Sequence, residues 1–277
     1  MEELNILSWN LAHRTRLWTD VLESGADVAL LQEACEPPAD ISNHIDVDPE
    51  PWRTDGAGKK RSWRAAIVQL NPKIQLKRHA VRSICDAQPG EFAVSRVGTL
   101  AAADVTHPRT GEVFTLVSMY APWEDPHADL ASSWIYSDAS VHRLISDLSV
   151  FVGREKGHRV LAAGDLNILY GYGEEGSAYW AKRYQTIFDR FEALGLTFVG
   201  PQFPKGRQAS PWPLELPRSS RNVPTYHTTH QTCDTATRQL DFVFVSSAVA
   251  TRVSVHALNK PEEWGGSDHC QIDISLA

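Results

Sequence analysis

The chain has 277 residues, a formal net charge of −7, 22% charged and 42% hydrophobic residues, and nine Trp. That composition excludes intrinsic disorder, collagen-like repeats and a disulfide-stapled miniprotein, and the length allows one large domain or two small ones. Net acidity argues against coating nucleic acid through charge alone, which needs clustered Lys and Arg; it leaves room for a metal enzyme that handles phosphate at one site.

Residues 4–9 alternate weakly and read as a first strand. Residues 14–24 follow with Leu17, Val21 and Leu22 at near-helical spacing, and Gly25 is a plausible stop. The continuous apolar run 28–31 fits a strand buried on both faces. Residues 65–70, 92–105 and 113–120 read as further strands, the last two joined by a hairpin-like turn at 107–111. Residues 138–152 are helical in period through Val141, Leu144, Ile145 and Leu148. A short buried strand is expected at 159–163, a long helix at 178–194, and closing strands at 240–245 and 271–276. Residues 200–234 hold six of the sixteen prolines and no regular period, which marks a functional or disordered loop. No internal repeat or linker interrupts the pattern, so one domain spanning 1–277 is expected, an α/β sandwich with mixed sheets.

Cys35, Cys85, Cys233 and Cys270 form no C-x-x-C pair, so reduced, mostly buried thiols are expected. The first residues carry two acids where a signal peptide would carry positive charge, and no apolar run approaches the roughly 20 residues that span a bilayer. A cytoplasmic protein that does not enter membranes is the default.

Short polar clusters sit at the ends of the apolar strands. Asn10 ends the first in Ser8-Trp9-Asn10, and Glu33 ends the second in Leu31-Gln32-Glu33. Tyr120 ends the hairpin's return strand. Gly164-Asp165-Leu166-Asn167 follows residues 159–163, Asp241 opens a strand, and Ser267-Asp268-His269 precedes the last. Any one of these can be an ordinary loop residue. G-D-x-N or S-D-H arises by chance in only a few per hundred chains of this length, as an order of magnitude, and both occur here in order.

On these residues the chain resembles the endonuclease/exonuclease/phosphatase superfamily, and within it the exonuclease III and AP endonuclease branch. The resemblance implies a four-layer α/β sandwich with two central mixed sheets flanked by helices. It also implies divalent-metal-dependent phosphoester hydrolysis, with Mg²⁺ or Mn²⁺ as cofactor, where the strand ends meet. Relatives commonly place a second acid or amide two positions after the first Asn; here that position is Ala12.

Mg²⁺ takes hard oxygen ligands and keeps several waters. Glu33 is the first candidate ligand, with Asn10 and Asp268 assisting. Asp165 suits a water-orienting base, and Asn167 suits a hydrogen bond to a phosphate oxygen. His269 paired with Asp241 follows acid–imidazole logic, the carboxylate fixing the tautomer so that the other ring nitrogen can donate to phosphate. Sequence leaves open which of Asp165 and His269 activates the water. Tyr120 stands where the exonuclease III and AP endonuclease branch carries Tyr, which favours a nucleic-acid substrate.

Substrate contacts are expected from Trp264, Trp212, Arg221 and Arg64. Arg64 belongs to a run at 59–82 with eight basic residues and no acid, beside residues 20–55 with ten acids and only Arg53. The run is either a solvated face or a phosphate track. Trp264 is either a substrate platform or a lid on the core, and His227-x-x-His230 either ligates metal or is incidental. The leading expectation is a monomeric phosphodiesterase acting on DNA or RNA. The same chemistry on a small phosphoester (a nucleotide, inositol phosphate or phospholipid headgroup) and an inactive binding module of the same fold remain as alternatives.

Overall fold

A computed structural model describes residues 3–56, 59–124, 137–153, 157–171 and 177–277. In chain order the elements are β1 (Leu4–Asn10), α1 (Trp18–Glu23), β2 (Val28–Cys35), α2 (Ala39–Ser42), β3 (Asp46–Val47), β4 (Thr54–Gly56), β5 (Lys59–Arg61) and β6 (Trp63–Gln69). There follow β7 (Leu76–Arg78), β8 (Val81–Ser83), β9 (Phe92–Val94), β10 (Leu100–Thr106), β11 (Val113–Tyr120), α3 (Ser137–Leu148) and β12 (Val160–Asp165). The chain closes with α4 (Ala178–Ala193), β13 (Leu196–Gly200), β14 (Asp241–Ser246), β15 (Val253–Leu258) and β16 (Gln271–Leu276).

Two six-stranded mixed sheets form the centre, ordered β15-β16-β1-β2-β6-β3 and β13-β14-β12-β11-β10-β7. β1 pairs parallel with β2, and β11 with β12; the other pairings in both sheets are antiparallel. Strand side chains alternate between faces, which is why the inner strands read as unbroken apolar runs. In β1 and β2, Leu4, Ile6, Val28 and Leu30 face the opposite sheet, and Leu7, Trp9, Ala29 and Leu31 pack outward under α1 and α2. In β14, Val243 and Val245 face inward, while Phe242 and Phe244 pack against α3 and α4. The rings of Phe191 and Phe244 stack at 3.8 Å, worth about 0.5–1.5 kcal/mol beyond the burial itself. Helix, sheet, sheet, helix is the expected four-layer sandwich.

The predicted strand 92–105 is broken. Residues 95–99 leave the sheet in a turn at Gly98 (φ +84°), where an added Cβ would meet Thr54 at 2.9 Å; β9 pairs instead with β8 in a two-stranded ribbon. The helix expected at 14–24 begins with a 3₁₀ turn at Thr15–Leu17, and that expected at 138–152 ends in one at Ser149–Phe151. Strands β3, β7, β13 and β15 were not expected, and they are the four sheet edges. Among the described residues no helix is long and apolar enough to cross a membrane. The four thiols are free, and only Cys270 is buried, whereas burial of most was expected.

Three arginines of the basic run pair with the acidic segment. Arg64, 2% exposed, pairs with Asp48 at 2.6 Å, lies 4.1 Å over Trp52 and donates to the carbonyls of Asp48, Glu50 and Ala65. Arg78 pairs with Asp46, and Arg82 with Glu50 and Glu91. Arg64 therefore cannot reach substrate, contrary to expectation; it fastens the 48–52 segment onto β6. Arg64→Ala leaves Asp48 buried without its counter-ion, so a loss of about 3–5 kcal/mol in chemical denaturation is expected.

Candidate active site at one end of the sandwich

The topology gathers the polar strand ends. β1 and β12 finish at Asn10 and Asp165; β14 runs antiparallel to β12, so its first residue, Asp241, stands opposite Asp165. β16 runs antiparallel to β1, which brings His269, just before it, to the same edge. Here a cleft of about 770 Å³ opens, lined by Glu33, Tyr120, Asp165, Asn167, Asp268 and His269 among others.

Four residues other than glycine have left-handed backbone among the described residues: Ala12 (φ 48°), His13 (φ 60°), Glu33 (φ 48°) and Asn167 (φ 51°). All belong to this end, and such conformations are held only where surrounding structure fixes them. Glu33 sits where the β2–β6 register slips between Leu31 and Ala34, a bulge that turns its carboxylate into the cleft. The buried Gln32 beside it donates to Ser118 Oγ (3.1 Å), and Ser118 donates to Leu31 O (2.7 Å), tying the two sheets together under the site. Gly164 (φ +151°) lets β12 approach β11: a Cβ there would lie 1.9 Å from Met119 O.

Asp165 is 1% exposed. Its Oδ2 accepts from Asn10 Nδ2 (3.0 Å) and Asn167 Nδ2 (3.1 Å), and its Oδ1 from the Asn167 backbone N–H (2.8 Å). Burial pushes its carboxyl above the usual range, assisted by the charges of Asp241 and Glu33 and opposed by His269. His269 Nδ1 lies 2.8 Å from Asp241 Oδ2, and Nε2 lies 3.8 Å from Asp165 Oδ2. Burial would lower the imidazole, but the charges of Asp241 and Asp165 and the hydrogen bond to Asp241 outweigh it and carry it to about 10. The ring is fixed from behind as well: Trp9 Nε1 donates to His269 O (2.9 Å), and Ser267 Oγ joins the His269 N–H to Asn10 O.

Glu33 Oε2 pairs with His13 Nε2 at 2.8 Å. Burial would raise this carboxyl; His13 and the Tyr120 hydroxyl outweigh it and leave it below its ordinary value. Burial beside Glu33 and Asp165 keeps Tyr120 a neutral phenol, its titration moved far upward. Asp165, Asp241 and His269 are the described residues whose donor atoms all lie within 4.8 Å of one another, close enough to surround one cation. Asn10, Glu33 and Asp268 offer further oxygens at the same edge, although Asn10 Oδ1 also accepts from the Ala12 N–H (2.9 Å).

One expected role fails on geometry. Asn167 engages its side-chain amide with Ala121 O (3.1 Å) and Asp165, so it positions Asp165 and has no N–H left for phosphate. Trp264 is 2% exposed in the inter-sheet core and is a lid, not a platform. Trp212 donates to Leu216 O, and Arg221 to Phe203 O; both brace the proline-rich loop and neither lines the cleft. His227 and His230 enter no potential metal cluster among the described residues. Sequence reasoning missed His13, which also stacks on Trp63 at 4.7 Å, and the aromatic walls formed by Trp63, Trp123, Trp180, Tyr184 and Tyr226, with Arg61 and Arg238. Two signals were available: His13 lies three residues beyond Asn10, and Tyr179, Trp180 and Tyr184 crowd the first turns of α4.

The model of the Endonuclease/Exonuclease/phosphatase family matches residues 7–269. Solved structures of similar fold include an AP endonuclease from Archaeoglobus fulgidus (14% identity, 99% of each chain covered, TM-score 0.61). An AP endonuclease from Leishmania major (16% identity, covering 99% of this chain and 87% of that one, TM-score 0.60) is comparable. So is the endonuclease domain of TRAS1, a telomere-specific non-LTR retrotransposon (15% identity, 99% and 98% covered, TM-score 0.59). No curated protein matches the chain.

The raised imidazole has a stability consequence. Its contribution is complete below the unfolded-state value of about 6.5 and vanishes as pH rises through the folded value of about 10. In EDTA, His269→Gln should lower stability at pH 6–7 by about 3 kcal/mol or more, and the gap from wild type should narrow toward pH 10. A gap that stays constant across this range in thermal unfolding would show that the folded ring is uncharged.

Proposed function

We propose that this chain, which belongs to the Endonuclease/Exonuclease/phosphatase family, is a divalent-metal-dependent phosphodiesterase acting on DNA or RNA. The observation that carries the reading is the buried Asp165, held by two asparagine amides and facing an imidazole whose Nδ1 is fixed on Asp241. The same arrangement supports the view that residues 1–277 work as one domain, because the site takes residues from both sheets, which share a core.

Each group has a role that follows from its surroundings. His269 keeps Nδ1 on Asp241, so Nε2–H points toward the cleft as a donor for a phosphate oxygen. Asp165 accepts from Asn10 and Asn167, which fix its orientation, and its raised affinity for a proton suits a base that takes one from water near neutrality. Glu33, ionised and fixed on the bulge, is the leading cation ligand, with Asn10 and Asp268 beside it. The donor set fits: these oxygens suit Mg²⁺ or Mn²⁺, and the carboxylates of Glu33, Asp165, Asp241 and Asp268 outnumber the imidazoles of His13 and His269. Bound there, the cation would supply charge neutralisation at the phosphoryl and leaving oxygens. Tyr120 buttresses Glu33 through its hydroxyl.

The cleft walls favour a nucleic-acid substrate over a small phosphoester. Trp63, Trp123, Trp180, Tyr184 and Tyr226 line it together with Arg61 and Arg238, and Trp123 is 56% exposed. Aromatic faces beside guanidinium groups are the pattern on which unpaired bases stack.

Purified protein with Mg²⁺ or Mn²⁺ is expected to cleave plasmid, abasic-site or single-stranded oligonucleotide substrates, and EDTA to stop it. Asp165→Asn and His269→Ala should each lower kcat by on the order of 10²–10⁴ with unchanged circular dichroism. Hydrolysis confined to small phosphodiesters would transfer the activity to that substrate class; bound metal with no hydrolysis of any phosphoester would leave a binding module.

A further inference from the structure

Behind Tyr120 an arginine cluster adjoins the cleft and is incompletely matched by hydrogen bonds. Arg61 lies 4.7 Å from the centre of the Trp63 ring, which meets Tyr120 edge-on at 5.1 Å. Arg96 stands in the turn between β9 and β10, and this turn adjoins the same tyrosine, since Tyr120 N–H donates to Thr99 O (2.9 Å). Arg96 is only 8% exposed, yet its Nε and Nη1 are enclosed without a hydrogen-bond partner. The carboxylate facing it, Glu124, comes no closer than 4.0 Å. Glu124 Oε1 is already held by Ser140 (3.0 Å) and by Arg143. Burial lowers the Arg96 guanidinium to about 10, with Arg61 and Arg143 pushing in the same direction; Arg96 and Arg143 share Glu124.

A buried guanidinium without partners is costly, and its planar fork matches the oxygens of a phosphate group. We propose that Arg96, with Arg61 and Arg143, forms a second oxyanion subsite beside the catalytic cleft, which takes a phosphate group of the substrate other than the one hydrolysed. That phosphate is either an internal diester of a polynucleotide or a terminal monoester. Its place in the substrate rests on the phosphoester-hydrolase reading; the oxyanion binding itself does not.

Two measurements separate these. Inorganic phosphate titrated into the metal-free 277-residue chain by calorimetry should bind wild type, bind Arg96→Gln at least tenfold more weakly, and bind Arg96→Lys at an intermediate level. Arg61→Gln, at a less buried position, should show the same loss and serves if the Arg96 variants fail to fold. Absence of phosphate binding by wild type, or equal affinity in wild type and Arg61→Gln, overturns the subsite. In the second measurement, the kcat/KM for an unphosphorylated oligonucleotide and for a 5′-phosphorylated dinucleotide is divided by that for bis(p-nitrophenyl) phosphate. Arg61→Gln should lower the oligonucleotide ratio about tenfold if the subsite takes internal diesters, and the dinucleotide ratio if it takes a terminal monoester; unchanged ratios overturn the proposal. Phosphate binding that depends on Arg96, in a protein that hydrolyses no phosphoester, would sustain the subsite and remove the hydrolase reading.

Discussion

Burying Asp165 and Asp241 beside one imidazole is the constraint on which the rest of this molecule turns. Two carboxylates removed from water repel each other and lose their hydration, a cost of several kcal/mol per ion unless it is compensated. The compensation is local and specific. His269 lies between them, 2.8 Å from Asp241 and 3.8 Å from Asp165, and Asn10 and Asn167 donate to Asp165. Each compensating group comes from a different strand end or loop, so the charge balance exists only when both sheets are assembled. A site in which buried carboxylates face one imidazole is thereby built into the closure of the core.

The backbone shows where that demand is met. Ala12, His13, Glu33 and Asn167 adopt left-handed conformations in one neighbourhood, each costing of order 1–3 kcal/mol where nothing else favours it. The bulge that turns Glu33 outward also ends regular pairing with β6, and the Asn167 conformation lets one residue serve Asp165 with both backbone and side chain. Fold stability is drawn elsewhere, from Phe and Trp packing on both outer faces and from the Arg64–Asp48 pair that fastens the acidic segment to β6. The net charge of the chain thus conceals two opposite segments joined by three ion pairs, with Arg61 of the basic run in the cleft wall.

What could be read beforehand divides along a physical line. The eight inner strands, β1, β2, β6 and β16 in one sheet and β10, β11, β12 and β14 in the other, each overlap a segment expected to be extended, although β2 runs four residues past its expected end. A strand covered on both faces must be apolar throughout, and that leaves a continuous signature. The edges β3, β7, β13 and β15 have a neighbour on one side only, are short or half-polar, and left none. The catalytic-type side chains were legible because chemistry restricts them to a few residue types at strand ends: Asn10, Glu33, Asp165, Asp241 and His269 do converge. The expected substrate contacts did not, because Arg, Trp and Pro-flanked residues serve packing as readily as binding. Arg64, Trp212, Trp264 and Arg221 each found a partner inside the protein.

The sequence by itself determined the layered α/β architecture, through periodic burial, and the residue types that can hold a cation and move a proton, through their short polar clusters. Only the tertiary structure decided which donors remain free. It engaged the Asn167 amide with Ala121 and Asp165, fixed the His269 ring on Asp241, covered Glu33 with His13, and left Arg96 enclosed without its hydrogen bonds. Spacing along a chain specifies which groups are present. Hydrogen bonding and desolvation act through distances that exist only after distant segments meet, and these set the charge and availability of each group.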